Sequence, residues 1–188
     1  MNNKADGICL GASHANKITG NDIGKNSHGV SLSLSNGNTI FHNNFIQNRM
    51  LQARSISAQD NTWNNGYPSG GNYWSDYNGS DSFQGPFQNV TGSDGIGDTS
   101  YNIDLDNQDS YPLMGPFSDF NATSRYQVQT VCNSTISDFQ FNGTAISFNV
   151  CGDNDTSGFC RICIPTTLMN YNCSSHLLDE GDIYGVLF

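Results

Sequence analysis

The chain has 188 residues and a net charge of −10, with 7 Lys and Arg residues against 17 Asp and Glu. No basic stripe is available to neutralise phosphates, so nucleic acid is not an expected partner, and no run reads as a signal peptide or a membrane span. Only 13% of residues are charged, Asn, Ser, Gly and Thr carry the polarity, and an aromatic content of 11% predicts folded cores rather than disorder.

The first sixty residues repeat themselves at an offset of 22. Gly7-Ile8-Cys9-Leu10-Gly11-Ala12-Ser13, followed by Asn16, Ile18, Asn21, Ile23 and Asn26, returns as Gly29-Val30-Ser31-Leu32-Ser33-Leu34-Ser35, followed by Asn38, Ile40, Asn43, Phe45 and Asn48. A period in this range means stacked units of a solenoid. Within each unit the apolar residues are short beads at a spacing of two, which is strand periodicity with one face inward. Asn and Gly between the beads tolerate the left-handed backbone of tight corners. Each unit therefore reads as three very short strands closing one turn of a parallel β-helix. Asn at equivalent places in successive turns can form a ladder of side-chain amides.

A third turn is recognisable but displaced by one residue. Ile56 and Asn61-Thr62-Trp63 resemble Leu34 and Asn38-Thr39-Ile40. After Trp63 the pattern is expected to stop, which limits the coils to residues 1–63. The chain starts inside the pattern, so residue 1 is not expected to be the natural start of the domain. The exposed first coil carries a strand edge, and self-association through it is expected.

Residues 64–120 read as a loop-rich, aromatic and Asp-rich cap. Trp63, Tyr67, Tyr73, Trp74 and Tyr77 lie among turn residues, where they can pack over the last coil or stack on sugar rings. Asp76, Asp81, Asp94, Asp98, Asp104, Asp106 and Asp109 fall among Gly, Asn and Ser. Hard oxygen donors in flexible loops suit Ca²⁺, and Asp94, Asp98, Asp104, Asp106 and Asp109 are the best ligand strings. The alternative is that these carboxylates cap turns. A third reading is catalytic: glycoside hydrolysis needs two carboxylates, and Asp94/Asp98 and Asp76/Asp81 are the pairs to test. A polysaccharide lyase would need a basic group, and Lys17, Lys25, Arg49 and Arg54 are few. No Ser-His-Asp spacing, phosphate loop or dinucleotide motif is present, so no nucleotide cofactor is expected.

Residues 121–188 read as a small β-rich domain. Five of the six cysteines, Cys132, Cys151, Cys160, Cys163 and Cys173, lie here. Cys160-Arg161-Ile162-Cys163 is a CxxC in strand-like alternation and lacks the second CxxC of a zinc site. Structural cysteines or disulfides, free buried thiols, and a metal or redox site are all open readings, and sequence alone does not pair the thiols. Cys9 lies in an interior-looking bead and reads as a small apolar core residue. Glycan acceptor sequences at Asn78, Asn89, Asn121, Asn133, Asn142, Asn154 and Asn172 point to a glycosylated extracellular protein.

The Asn-ladder repeats followed by NTWNNGYPSGGNYWSDYNGSD, GSDGIGDTSYNID and DSYPLMGPF resemble the C-terminal end of NosD-type right-handed β-helix proteins. These are periplasmic copper-accessory proteins with CASH (carbohydrate-binding and sugar-hydrolase) repeats. The likeness spans about residues 5–117, and this version resembles the large secreted paralogues common in archaea. Residues 125–170 resemble the β-rich domain that often follows the helix in such surface proteins. The strands that should complete that domain are not recognisable from Asn172 to Phe188, which implies an incomplete or altered end. The family name raises copper, yet His14, His28 and His42 fall on different ladders by the 22-residue offset, so a copper cluster is not expected.

The resulting expectation is an all-β chain: a short right-handed parallel β-helix, an Asp-rich aromatic cap, and a small, incomplete, sandwich-like β domain. The expected function is a secreted or cell-surface module that binds carbohydrate or builds surface structure, with Ca²⁺ in the cap. The alternative is a carbohydrate-active hydrolase or lyase using the cap Asp residues.

Overall fold

The computed structural model describes residues 3–153, 157–168 and 184–187. Residues 1–113 and 114–188 form two compact units.

The first unit is built from coils at the period of the sequence. The first coil is β1 (Ile8–Gly11), β2 (Lys17–Thr19) and β3 (Asp22–Gly24). The second is β4 (His28–Ser33), β5 (Thr39–Phe41) and β6 (Asn44–Ile46). β7 (Leu51–Ile56) and β8 (Tyr73–Trp74) belong to the third. Three parallel sheets result, ordered β1-β4-β7, β2-β5 and β3-β6-β8. Ile8 pairs with Val30, Ile18 with Ile40 and Ile23 with Phe45, so equal positions stack.

The coil core follows from that register. Ile18, Ile23, Val30, Leu32, Ile40, Phe45, Ala53, Ala58, Trp63 and Trp74 form one buried cluster. Cys9, expected in this core, is exposed, because the alternation of β1 turns Ile8 and Leu10 inward instead. Corners fall at equivalent places, in left-handed backbone: Ala12, Leu34 and Ser57; Ala15, Gly37 and Asp60; Gly20 and His42; Lys25 and Gln47. Only two of these ten residues are glycine. The recurring Gly7 and Gly29 serve a different need, close approach. A Cβ on Gly29 would lie 2.8 Å from both the Phe45 ring and the Asn48 amide.

The third coil departs from the expectation in one respect. Thr62 pairs with Thr39, and Ala53 with Val30, one residue out of period as the sequence indicates. The pattern does not stop at Trp63. After an excursion through residues 64–71 the chain returns, and Asn72-Tyr73-Trp74 occupies the rung above Asn43-Asn44-Phe45. The excursion hides the third side of the coil from a fixed-period reading.

Two small antiparallel pairs follow. β9 (Phe83–Gln84) pairs antiparallel with β10 (Val90–Thr91), and β11 (Tyr101–Asn102) with β12 (Gln108–Asp109). The unit closes at Leu113, which bridges to both Tyr73 and Ile96. The segment expected as cap to residue 120 thus divides, because Phe117–Asn121 is the first strand of the second unit.

That second unit has an antiparallel sheet, β13 (Phe117–Asn121), β14 (Gln127–Cys132), β17 (Phe159–Cys163) and β18 (Tyr184–Leu187), in that order. A hairpin of β15 (Thr135–Phe141) and β16 (Ile146–Cys151) lies between β14 and β17 in the chain. Val128, Cys132, Cys160 and Ile162 form the core, with Ile136, Phe139, Ile146 and Phe148 of the hairpin packed against them. A strand is therefore present where the sequence shows none: Tyr184–Leu187 pairs with Phe159–Ile162. Cys173, Asn154 and Asn172 lie outside the described residues.

Candidate functional site

The Asn ladders lead to the part of the first unit where chemistry could reside. In one, Asn16, Asn38 and Asn61 stack, each amide oxygen accepting from the side-chain amide of the previous rung at 2.9–3.0 Å. In a second, Asn21, Asn43 and Asn72 do the same. In a third, Asn26 stacks on Asn48, whose amide donates to Gln52. Asn38, Asn43 and Asn72 are fully buried. A buried amide is tolerated only with partners, and the ladders supply them.

A ladder must end, and two residues of the β11–β12 hairpin end the first two of these. Asn107 Oδ1 accepts from Trp63 Nε1 at 3.1 Å and from Asn61 at 3.4 Å. Asp109 Oδ2 accepts from the Asn72 backbone N–H at 2.7 Å, from Trp74 Nε1 at 3.0 Å and from the Asn72 amide at 3.5 Å, while Oδ1 accepts from Tyr111 N–H at 3.1 Å. Asp109 is completely buried. Burial pushes its carboxyl up to about 7, against the pull of these N–H donors. Its lone pairs are taken up by protein donors, which removes Asp109 from the expected Ca²⁺ ligand set.

The aromatics divide. Trp63 and Trp74 are 0% and 1% exposed. Phe45 stacks on Trp74 with ring centres 4.3 Å apart, and Trp74 on Tyr101 at 4.2 Å. Tyr101, a residue sequence reasoning passed over, is thus a further rung above Ile23, Phe45 and Trp74. No face of either indole is left for a sugar, which corrects that expectation for Trp63 and Trp74. Tyr67, Tyr73 and Tyr77 are partly exposed. Burial raises the Tyr73 phenol, and the Tyr77 hydroxyl donates to Thr99 O at 2.7 Å.

The remaining acidic residues tie loops together. Asp81 accepts from Ser93 Oγ and the N–H groups of Asp94 and Gly95. Asp98 accepts from Ser80 Oγ at 2.9 Å and from Ser82 and Phe83 N–H at 2.9 and 3.0 Å. Burial opposes its charge, but those donors outweigh it and hold the carboxyl below its ordinary value. Asp94 accepts from Ile96 N–H, and Asp76 from the Tyr101 hydroxyl at 3.3 Å. Asp104 accepts from Asn107 and from Asp106 N–H. A general acid at neutral pH needs a raised carboxyl; Asp98 is displaced the other way. Among the described residues, no three His, Cys, Asp or Glu side chains gather as a metal site.

Histidines fit the same picture. His28 Nδ1 meets Asp6 at 2.8 Å, one rung below. Asn36 N–H donates to His14 Nδ1 at 3.1 Å, and His42 Nε2 lies 3.0 Å from Ser69 O. The three rings occupy separate places and each is engaged locally.

In comparisons with known proteins, residues 1–79 match the family model described as "Periplasmic copper-binding protein (NosD)". No curated protein and no solved structure matches the chain. Among the described residues, no helix is long and apolar enough to cross a membrane. The matched residues are the ones that form the parallel coils and their Asn ladders, so the likeness lies in the coil segment of the first unit.

Proposed function

We propose that this chain is a non-catalytic module of a secreted or cell-surface β-helix protein, in which the loops above the coils end the stack and offer tyrosines to carbohydrate. The observation that carries the non-catalytic part is the commitment of Asp76, Asp81, Asp94, Asp98, Asp104 and Asp109 to hydrogen-bond donors of their own unit. Such carboxylates serve as turn and ladder terminators.

Tyr67, Tyr73 and Tyr77 supply amphipathic ring faces for sugars. Phe87, 81% exposed between β9 and β10, adds an apolar surface nearby in the chain. Glycans on Asn78, Asn89, Asn121, Asn133 and Asn142, all exposed, suit a surface location. Ca²⁺ enters this reading as a screening ion for the acidic loops; an unchanged melting temperature in EDTA would remove it. Association with a second copy through the first coil belongs to this reading, and light scattering across concentration tests it.

A glycan array combined with a reducing-sugar assay tests the reading. Binding that drops at least about tenfold in Tyr67→Ala or Tyr77→Ala, without sugar release, supports it. Sugar release abolished by Asp94→Asn or Asp98→Asn would replace it with the hydrolase alternative.

A further inference from the structure

We infer that Cys132 and Cys160 form a disulfide that staples β14 to β17 in the second unit. The two residues face each other directly across the antiparallel pair. Their pairing is of the close kind. Cys132 N–H points away from β17, to Pro116 O at 3.1 Å, and the neighbouring Asn133 N–H donates to Phe159 O at 3.3 Å. Backbone bonding at Asn133–Phe159 makes Cys132–Cys160 a non-hydrogen-bonded pair, with Cα atoms about 4.5 Å apart. That separation lies within the disulfide range of about 4.4–6.8 Å. The side chains are 3% and 2% exposed and belong to the same buried core cluster.

The same geometry dismisses the CxxC as a unit. Cys160 and Cys163 sit three apart on one strand, so their side chains point to opposite faces. Cys163 pairs with Gln129 and Cys151 with Thr135, so neither is placed across from another thiol. Cys132 and Cys160 enclose the whole β15–β16 hairpin, and a link there would restrict a long loop of the unfolded chain.

The chemistry is thiol–disulfide exchange with a small-molecule disulfide such as glutathione disulfide. One cysteine loses its proton, its sulfur attacks a glutathione sulfur, and a glutathione thiolate leaves. The second cysteine loses its proton and attacks the protein sulfur of that mixed disulfide, releasing the second glutathione thiolate. Two electrons pass to glutathione and two protons to solvent. Burial, with the neighbouring Cys132, pushes the Cys160 thiol up to about 12, so reaction is slow once the sheet has closed and belongs to folding.

The test refolds the full chain in a glutathione redox buffer, then combines non-reducing peptide mapping with melting in the presence and absence of reductant. The expected results are a Cys132–Cys160 linked peptide and a loss of about 10 °C or more on reduction, absent in a Cys132→Ala/Cys160→Ala variant. Full alkylation of both cysteines, linkage of either to Cys151, Cys163 or Cys173, or a reduction-sensitive shift that survives in the double variant would overturn the proposal. None of these readouts involves carbohydrate, so the outcome is independent of the surface-module reading.

Discussion

Replacing Asp109 by alanine or by asparagine separates its two contributions, acceptor and charge. Alanine leaves the N–H groups of Asn72, Trp74 and Tyr111 without an acceptor in a site sealed from water. Each unsatisfied buried donor costs about 1–3 kcal/mol, so the variant should lose about 3 kcal/mol or more at pH 5. Asparagine retains one oxygen where Oδ2 sits and continues the rung chemistry of Asn43 and Asn72, losing only the bond from Tyr111. Its cost at pH 5 should be about 1 kcal/mol. The charge then gives the pH dependence. The carboxyl is displaced upward from 3.8 to about 7, so the folded state binds a proton that the unfolded chain has released. The stabilisation from this proton is fully present below pH 4 and is lost as the pH rises through 7. The ceiling of that loss is about 4 kcal/mol. The stability of wild type minus Asp109→Asn should therefore fall between pH 4 and pH 8. Urea unfolding followed by tryptophan fluorescence reads it cleanly, because both tryptophans, Trp63 and Trp74, belong to the first unit. A difference that is flat, or that grows with pH, would refute the assignment of a buried, upward-shifted carboxyl at the ladder end.

Gly71→Ala should destabilise the first unit by about 3 kcal/mol, because the added Cβ would overlap the Asp109 carboxylate; a thermal melt close to wild type would count against the packing described. Leu34→Asn should raise stability by about 0.5 kcal/mol, since Leu34 is 60% exposed with φ of 51° and asparagine tolerates that backbone better; a loss in urea midpoint would contradict this. Asp98→Asn should speed amide exchange at Ser82 and Phe83 while barely moving the melting temperature. Asp98 is held below 3.8, so its contribution is present above that value and lost as the pH falls through the lower folded one. The exchange difference should accordingly shrink in acid, and a difference that persists there would assign the effect to something other than charge.

Much of the first unit is legible in the chain itself because its side chains repeat as its backbone does. Asn16/Asn38 and Asn21/Asn43 are ladder partners at the sequence period, and Asp6/His28 and His14/Asn36 meet as that offset predicts. Asn61 stacks on Asn38 despite the extra residue. The excursion at residues 64–71 is where the period ceases to inform. Asn72-Tyr73-Trp74 echoes Asn43-Asn44-Phe45, but only a search with a variable offset would detect it. The sequence therefore leaves Trp74 open between packing over the last coil and stacking on sugar, and the structure places it in the core. Asp109 is illegible for a different reason. A carboxylate among Asp104, Asp106 and Asn107 has the composition of a cation loop, and only the alternation of β12 turns Asn107 and Asp109 inward. In the second unit, the strand-like alternation around Cys160 is visible, whereas the partner Cys132 depends on a register that composition does not carry.

Asn107 and Asp109 are the last rungs of two coil ladders, so the loop segment and the coils should open together. Hydrogen exchange read by mass spectrometry measures this directly in the full chain. Peptides covering residues 38–46, 72–75 and 107–111 should share one level of protection, and Asp109→Ala should lower all three together. Free exchange at 107–111 over fully protected coils, unaffected by the substitution, would contradict it.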